Sequence, residues 1–169
     1  MENRIQRITP FLWFDSQAEE AATFYTSVFG NSRIVAVTRY DREAAAATRR
    51  PEGTAMTVAF ELDGQPFTAL NGGPIFKFTE AVSFVVHCST QEEIDYFWER
   101  LSAGGDERAL QCGWLKDRYG LSWQVVPDVL IELFSHPDPA VSARVMEAML
   151  RMKKIDIAAL KRAAEGGEG

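Results

Sequence analysis

The sequence predicts an α+β fold in which two β-α-β-β-β modules, residues 5–71 and 79–128, precede a C-terminal helical extension at residues 129–163. Three observations carry this prediction: a repeated strand and helix, turn sequences between β-rich segments, and a helical apolar spacing near the C-terminus. At 169 residues the chain is long enough for one compact domain but too short for a fused multi-domain enzyme.

The repeat relates residues 11–24, FLWFDSQAEEAATF, to residues 84–97, FVVHCSTQEEIDYF, without a gap. In both copies an apolar and aromatic run typical of a buried strand comes first. A Ser-x-x-Glu sequence follows, formed by Ser16 and Glu19 in one copy and Ser89 and Glu92 in the other. This spacing predicts a capping box at the start of a helix. Both helices are expected to end at glycine, the first at Gly30 and the second at Gly104 and Gly105.

Turn sequences divide the remainder of each module into strands. RIVAVT in the first copy is rich in β-branched residues, and residues 41–53 form a polar excursion with a short helical turn through its alanines. Asp63 and Gly64 predict a tight hairpin. In the second copy DERALQC and GWLKD predict two strands, and a turn at Tyr119 and Gly120 leads to the last one. Placing Gly64 on Gly120 also places Phe67 on Trp123, so the final strands correspond.

The C-terminal segment predicts two helices. Asp138 and Pro139 suit the N-cap and first positions of one, and Asp156 can cap a second through IAALKRAA. Apolar residues recur at helical spacing on the first of these helices, at Val141, Val145, Ala148, Met149 and Met152. This face can pack on the sheet of its own chain or across a dimer partner.

Composition excludes several classes of protein. The chain has 18 Lys and Arg against 24 Asp and Glu, a net charge of −6, which disfavours nucleic acid and anionic lipid as partners. No apolar stretch reaches the roughly 20 residues of a membrane span, and the N-terminus has no signal-peptide pattern, so we expect a cytoplasmic protein without a membrane partner. Cys88 and Cys112 are expected to be buried thiols.

Four phrases carry a family resemblance: ITPFLWFDSQAEEAATFYTSVFGNSRI, GQPFTALNGGP, CGWLKDRYGLSWQVVPDVL and VMEAMLRMKKIDIAAL. With the duplicated module they resemble the PhnB-like branch of the vicinal oxygen chelate superfamily, which includes glyoxalase I, bleomycin-resistance proteins and extradiol dioxygenases. Members of this branch often carry the label 3-demethylubiquinone-9 3-methyltransferase. The resemblance covers nearly the whole chain, tail included. It implies curled mixed sheets around a cavity and a homodimer.

The resemblance also implies where a metal would be held. Metal-binding members take His, Gln or Glu ligands from the first and last strands of each module. The corresponding residues here are Ile8 or Thr9, Thr68, Ala81 or Val82, and Gln124. Only Gln124 is a good donor to Zn²⁺, Fe²⁺ or Ni²⁺. His87 aligns with Phe14, past the ligand position, and His136 lies in a predicted surface turn. The sequence therefore predicts no metal at the superfamily position.

The last strands and their turns are the predicted lining of the cavity. The candidate ligand-binding residues are Asn71, Trp114, Asp117, Tyr119, Trp123 and Gln124. Aromatic residues with polar tips suit flat or amphipathic ligands. Two alternatives are open: Trp123 can be a core residue, since it aligns with Phe67, and Asp117 can belong to an ordinary turn before Gly120.

The function expected from these residues is the binding or sequestration of a small molecule, without metal or other cofactor. The alternative is an enzyme with a metal-dependent or acid/base step on a small carbonyl or aromatic substrate, for which Asp117 or Glu61 would be the acid/base group. A third hypothesis is a structural dimer whose cavity is filled by its own aromatic side chains. Methyl transfer is disfavoured, because neither strand–helix turn, FDSQAEE or HCSTQEE, contains the glycines of an S-adenosylmethionine site.

Overall fold

A computed structural model describes residues 6–166, so the predicted module start at residue 5 lies outside the described residues. The α+β fold class is confirmed, with one four-stranded and one three-stranded sheet. The chain divides into two compact units at the peptide bond between Lys77 and Phe78. Within the described part of the chain, no helix has the length and apolar character to cross a bilayer.

The first unit contains a four-stranded sheet, which we call sheet A. Its elements are β1 (Phe11–Phe14), α1 (Ala18–Val28), β2 (Arg33–Arg39), α2 (Arg42–Thr48), β3 (Ala55–Leu62) and β4 (Gln65–Asn71). The strand order is β1-β4-β3-β2, with β1 parallel to β4 and the other neighbours antiparallel. Asp63 and Gly64 form the predicted hairpin with positive φ angles of 46° and 76°, as a tight β-turn of this kind requires. The predicted helical turn in the excursion is α2.

Helix α1 covers one face of sheet A. Its buried side includes Ala21 and Ala22, whose small side chains let the helix approach the strands, and Tyr25, which stacks on Phe60 of β3 at a centroid distance of 6.4 Å. Leu12 in β1 points to the same apolar layer and is only 6% exposed. Alternate residues of the strands therefore form the core with α1, and the opposite face of the sheet is the open face.

The second unit contains a three-stranded sheet, sheet B, and the C-terminal helices. Its elements are β5 (Ser83–Cys88), α3 (Gln91–Ser102), a 3-10 helix (Glu107–Ala109), β6 (Trp114–Lys116), β7 (Ser122–Pro127), α4 (Val129–Phe134), α5 (Pro139–Leu150) and α6 (Ile157–Glu165). The strand order is β5-β7-β6, with β5 parallel to β7 and β6 antiparallel to β7.

The strand predicted in DERALQC is wrong, because a 3-10 helix forms in its place. The carboxylate of Asp106 accepts a hydrogen bond from the backbone N–H of Arg108 and pairs with its guanidinium. These local bonds satisfy the backbone as a turn and compete with a strand ladder. Only an isolated bridge from Gln111 to Trp114 remains of the expected pairing. The second module is thus β-α-β-β.

The predicted capping boxes are also wrong in their residues. Helix α3 is capped by Thr90, whose side chain accepts from the N–H of Glu93, while the Glu93 carboxylate accepts from the N–H of Ser89. Helix α1 begins after Gln17 with no cap from its own segment. The reason is a loop-length difference, since three residues join β1 to α1 and two join β5 to α3. The gapless repeat therefore aligns α1 with α3 correctly, but it places each residue of β1 one position too early in β5.

The predicted glycine stops have different outcomes. Gly104 has a φ of +76° and follows α3 as expected, whereas α1 ends at an extended Phe29 and Gly30 is not left-handed. The Gly30 prediction is therefore wrong in its backbone conformation. An extended C-cap turns the chain directly into the segment that leads to β2.

The C-terminal extension forms three helices, of which α4 was not predicted. Asp138 and Asp156 cap α5 and α6 through their side chains, as predicted. The extension packs within its own chain: Leu130, Val145 and Leu160 belong to a buried cluster in which Met149 and Met152 take part. Two backbone hydrogen bonds join it to the segment just before β6: the N–H of Cys112 donates to the carbonyl of Met152, and the N–H of Gly113 donates to that of Lys153. The apolar face predicted on the first C-terminal helix thus contributes Val145 and Met149 to a cluster within its own chain.

The two cysteines differ in their surroundings, which gives a testable difference in reactivity. Burial, with the nearby negative charges of Glu93 and Asp128, raises the pKa of the Cys88 thiol to about 12. Because the thiolate is the reactive species, we expect a disulfide reagent at about pH 8 to label only Cys112 quickly in the native protein. Unfolding should release the second thiol, and Cys112→Ser should remove the fast phase. Two fast thiols in the folded protein would contradict this.

Candidate functional site

Asn71, at the end of β4, has a structural role in the interior of the first unit. It is 6% exposed, and its Oδ1 accepts a 2.8 Å hydrogen bond from the N–H of Ala18, the first residue of α1. Its Nδ2 donates to the carbonyl of Ala55 at 2.9 Å. Asn71 therefore supplies the helix cap that Ser16 was predicted to provide, and its amide groups are engaged by the backbone.

Asp117 and Trp123 also bind each other inside the second unit. Asp117 is 2% exposed, and its Oδ1 accepts hydrogen bonds from the N–H groups of Tyr119 and Leu121 at 2.8 and 3.0 Å. Its Oδ2 accepts from the indole Nε1 of Trp123 at 2.9 Å. Trp123 is 3% exposed and packs on the helix side of sheet B beside Phe84. Asp117 thus organises the turn between β6 and β7 around a core tryptophan.

Trp114 and Gln124 are the predicted site residues that the structure brings together on an open sheet face. In sheet B, Gln124 of β7 lies between Trp114 of β6 and Val85 of β5. Side chains of directly paired residues point to the same face of a sheet. Leu115 and Trp123 point the other way, toward the helix layer, so this row lies on the open face. Tyr119 lies outside it, half-buried in the turn.

A second row on the same face is polar. Lys116 of β6, Ser122 of β7 and Ser83 of β5 are paired across the three strands, and we call these three residues the polar row. Gln124 joins the two rows, because its Nε2 donates a 2.9 Å hydrogen bond to Oγ of Ser83. Lys116 forms a 2.7 Å ion pair with Glu80, which precedes β5.

The polar row contains a polar atom without a hydrogen bond. Oγ of Ser122 is fully buried and has no hydrogen-bond partner among the described residues. Most buried hydroxyls in proteins are satisfied by protein groups or water, so the Ser122 hydroxyl can bond a water molecule or a ligand group. The open face of sheet B therefore combines an aromatic and apolar row with a row of hydrogen-bonding groups. Such a combination is typical of small-molecule sites.

Comparison with known proteins identifies the family of this chain. The family model described as 3-demethylubiquinone-9 3-methyltransferase matches residues 6–126. The chain belongs to this family. It is similar to the PhnB protein from Bacillus cereus, a candidate 3-demethylubiquinone-9 3-methyltransferase, with 39% identity and a TM-score of 0.62 over 72% of this chain and 99% of that one. The family match ends before the C-terminal extension, so the predicted resemblance of the tail lies outside it.

More distant solved structures share the fold. The fosfomycin resistance proteins FosX from Listeria monocytogenes and Mesorhizobium loti are each 14% identical, with TM-scores of 0.52 and 0.53. Each match covers 80% of this chain and 100% of the other. These likenesses show that this 3-demethylubiquinone-9 3-methyltransferase family member shares its fold with the two FosX proteins. A search of curated proteins finds no match.

The family name implies S-adenosylmethionine, but the strand–helix turns do not fit it. In this family member the turns are Asp15-Ser16-Gln17 and Ser89-Thr90, and neither contains a glycine. A nucleotide-type cofactor needs close backbone approach at such a turn, which glycine allows. Here the turn before α1 is instead closed by the side chain of Asn71.

The ligand positions implied by the superfamily do not fit a transition metal in this family member. Ile8 and Thr9 precede β1, and Ala81 and Val82 precede β5, so these four residues lie outside the strands on which they were predicted. The group that meets Gln124 is the hydroxyl of Ser83, a weak ligand for Zn²⁺ or Fe²⁺. Residues 6–166 contain no group of three His, Cys, Asp or Glu side chains arranged to hold a metal.

The two histidines have other surroundings. His87 lies on the open face of sheet B, and its Nδ1 is 3.7 Å from Oδ1 of Asp128. Because the strands align one residue later than predicted, His87 corresponds to Trp13 rather than to Phe14. His136 accepts a hydrogen bond at Nδ1 from the N–H of Asp138, next to the start of α5. Nδ1 of each imidazole therefore lies next to an aspartate of the same chain.

The two acid/base candidates are held in other interactions. Glu61 forms an ion pair with Arg33 at 2.9 Å, and this hydrogen bond holds the pKa of Glu61 below its ordinary value. A carboxyl with a lowered pKa is a weaker base. Asp117 accepts the three hydrogen bonds described above. Neither residue has the setting of a general base that faces a substrate.

Sequence reasoning missed the polar row. Ser83, Lys116 and Ser122 come from three strands, and their neighbourhood depends on strand order and register. A signal was present, since Trp114 and Lys116, and likewise Ser122 and Gln124, are two residues apart and so share a face of their strands. Because side chains alternate between the two faces of a strand, the sequence shows that Lys116 and Trp114 share a face of β6. It does not show which residues of β5 lie on that face of the sheet.

Proposed function

We propose that this protein binds a small molecule without a metal ion, on the open face of sheet B. The observation that carries the proposal is the hydrogen bond from Gln124 to Ser83. Gln124 is the one good metal ligand among the positions that the superfamily implies, and here its side-chain amide donates to the hydroxyl of Ser83. Its position is therefore part of a hydrogen-bonding surface. Trp114 and Val85 on either side of Gln124 supply apolar contact for a ligand.

Binding is favoured over turnover by the residues at this surface. Lys116, Ser122, Ser83, Gln124 and Trp114 provide donors, acceptors and an aromatic ring. They do not include a nucleophile hydrogen-bonded to a base, which acyl transfer would need. The acid/base candidates Glu61 and Asp117 are engaged elsewhere. Stoichiometric sequestration needs only the hydrogen-bonding and apolar groups that this face presents.

Metal content tests the proposal directly. Protein purified without chelator is expected to contain far less than one equivalent of Zn, Fe, Ni, Co or Mn, measured by inductively coupled plasma mass spectrometry. Its thermal unfolding temperature should be the same with and without EDTA, because no fold-stabilising metal is removed. Gln124→Ala serves as the matched variant and should leave the metal content unchanged. One equivalent of tightly held metal that Gln124→Ala releases would overturn the proposal.

A further inference from the structure

The polar row places two serine hydroxyls beside the ammonium of Lys116. Directly paired residues in neighbouring strands have Cα atoms about 5 Å apart, so the side chains of Lys116, Ser122 and Ser83 are within reach of one small group. Oγ of Ser122 is buried and unpartnered, and the Ser83 hydroxyl accepts from Gln124, which leaves its own proton to donate. With the ammonium of Lys116, the row offers three donors and one positive charge.

A carboxylate from the chain itself already occupies the charged end of this row. Lys116 is held against the protein, with 22% of its side chain exposed, while its partner Glu80 is 60% exposed. The hydrogen bond from Lys116 holds the pKa of Glu80 below its ordinary value, so the position favours a carboxylate in its charged form. An ion pair with an exposed partner contributes little stability, and Glu80 can therefore leave at small cost.

We propose that the polar row recognises the carboxylate of a small organic acid, which replaces Glu80 on Lys116. The Lys116–Glu80 ion pair spans β7, and with it opened the carboxylate accepts hydrogen bonds from Ser122 and Ser83. The apolar or aromatic body of the acid then lies along Trp114 and Val85 in the adjacent row. This inference rests on the proposed binding function and names its ligand class. Glu80 acts as an internal competitor that the ligand displaces.

The charge of Lys116 favours an acid over other ligands, and the corresponding row of sheet A lacks such a site. When Glu80 leaves, the row carries the positive charge of Lys116, which repels a cation and leaves a neutral ligand without compensation for the broken ion pair. Asp106, whose charge acts on Glu80, is paired with Arg108. The matching row of sheet A contains Glu61 and Pro66, with Arg33 as partner of Glu61, and so offers an anion no equivalent set of donors.

Matched pairs of acids and amides test the proposal on the full-length protein. The probes are phenylacetate, indole-3-acetate and hexanoate, each compared with its primary amide, and binding is followed by two-dimensional ¹H–¹⁵N NMR. The signals to watch are the indole N–H of Trp114 and the side-chain amide of Gln124. At least one acid should bind about tenfold more tightly than its amide, since a charge-assisted bond and an anionic charge are lost in the amide.

Variants separate the roles of the charges. Lys116→Gln should weaken binding of the best acid by about tenfold or more, and Glu80→Gln should strengthen it several-fold because the competitor is gone. Glu61→Gln, which breaks the ion pair on sheet A, is the control and should leave the affinity unchanged. Inorganic phosphate is included as a competitor, and displacement of the acid by phosphate at equal concentration would overturn carboxylate recognition in favour of a general oxyanion site.

The outcomes distinguish this inference from the proposed function. If amides bind at Trp114 and Gln124 as tightly as the acids, the carboxylate assignment is wrong and small-molecule binding stands. If no acid binds, or if Lys116→Gln binds the acids as tightly as the original protein, the inference is likewise overturned. The proposed function itself fails only on the metal measurement described above, which none of these probes affects.

Discussion

Asn71→Ala is expected to lower the free energy of unfolding by about 2–4 kcal/mol. The substitution removes the acceptor for the N–H of Ala18 and the donor to the carbonyl of Ala55, and both of these backbone groups lie in the interior of the first unit. Water cannot reach them, so each keeps most of its desolvation cost. Urea unfolding followed by circular dichroism measures the loss.

Thr90→Ala is the control for an ordinary helix cap. Thr90 caps α3 at an exposed position, where water can bind the N–H of Glu93 in its place, and the expected loss is about 1 kcal/mol. Asn71→Asp keeps the acceptor for Ala18 but places a buried negative charge against the carbonyl of Ala55, so it should also destabilise the protein at neutral pH. Equal losses for Asn71→Ala and Thr90→Ala would contradict the buried role of Asn71.

Local sequence signals predicted the parts of the fold that local interactions determine. The hairpin at Asp63 and Gly64 and the helix starts at Asp138 and Asp156 each depend on a few consecutive residues, and all are observed as predicted. The strand expected in DERALQC does not form, because the Asp106 side chain caps a turn there. The second copy therefore lacks one strand of the first, although both copies keep the initial strand and helix.

The cap of α1 could not be predicted because its donor and acceptor are 53 positions apart in the sequence. Ser16 has the local spacing of a helix cap, yet the acceptor for the first N–H of α1 is Asn71, at the end of the neighbouring strand β4. The same limit applies to the candidate site. Trp114 and Gln124 were found because aromatic and amide residues stand out, whereas Ser83 is recognised only through its pairing with β7, whose register with β5 no local pattern fixes.

Asp117→Ala is expected to have the largest effect on stability, a loss of about 3–5 kcal/mol, measured by urea unfolding. The buried carboxylate accepts from the N–H groups of Tyr119 and Leu121 and from the indole of Trp123, so its removal leaves all three donors unpaired at once. Asp106→Ala is the control. It removes a turn aspartate whose partner Arg108 is 91% exposed, and it should cost less than about 1 kcal/mol.

The indole contact of Asp117 can be isolated with a double-mutant cycle. Asp117→Asn retains an oxygen for the two backbone N–H groups, but it turns an amide N–H₂ toward the indole N–H of Trp123, so two donors face each other. Trp123→Phe removes one of these donors. Asp117→Asn should therefore cost about 1–2 kcal/mol less in the Trp123→Phe background than in the original protein. Equal costs in the two backgrounds would mean that this hydrogen bond does not contribute to the turn, and that burial of Trp123 beside Phe84 alone holds it.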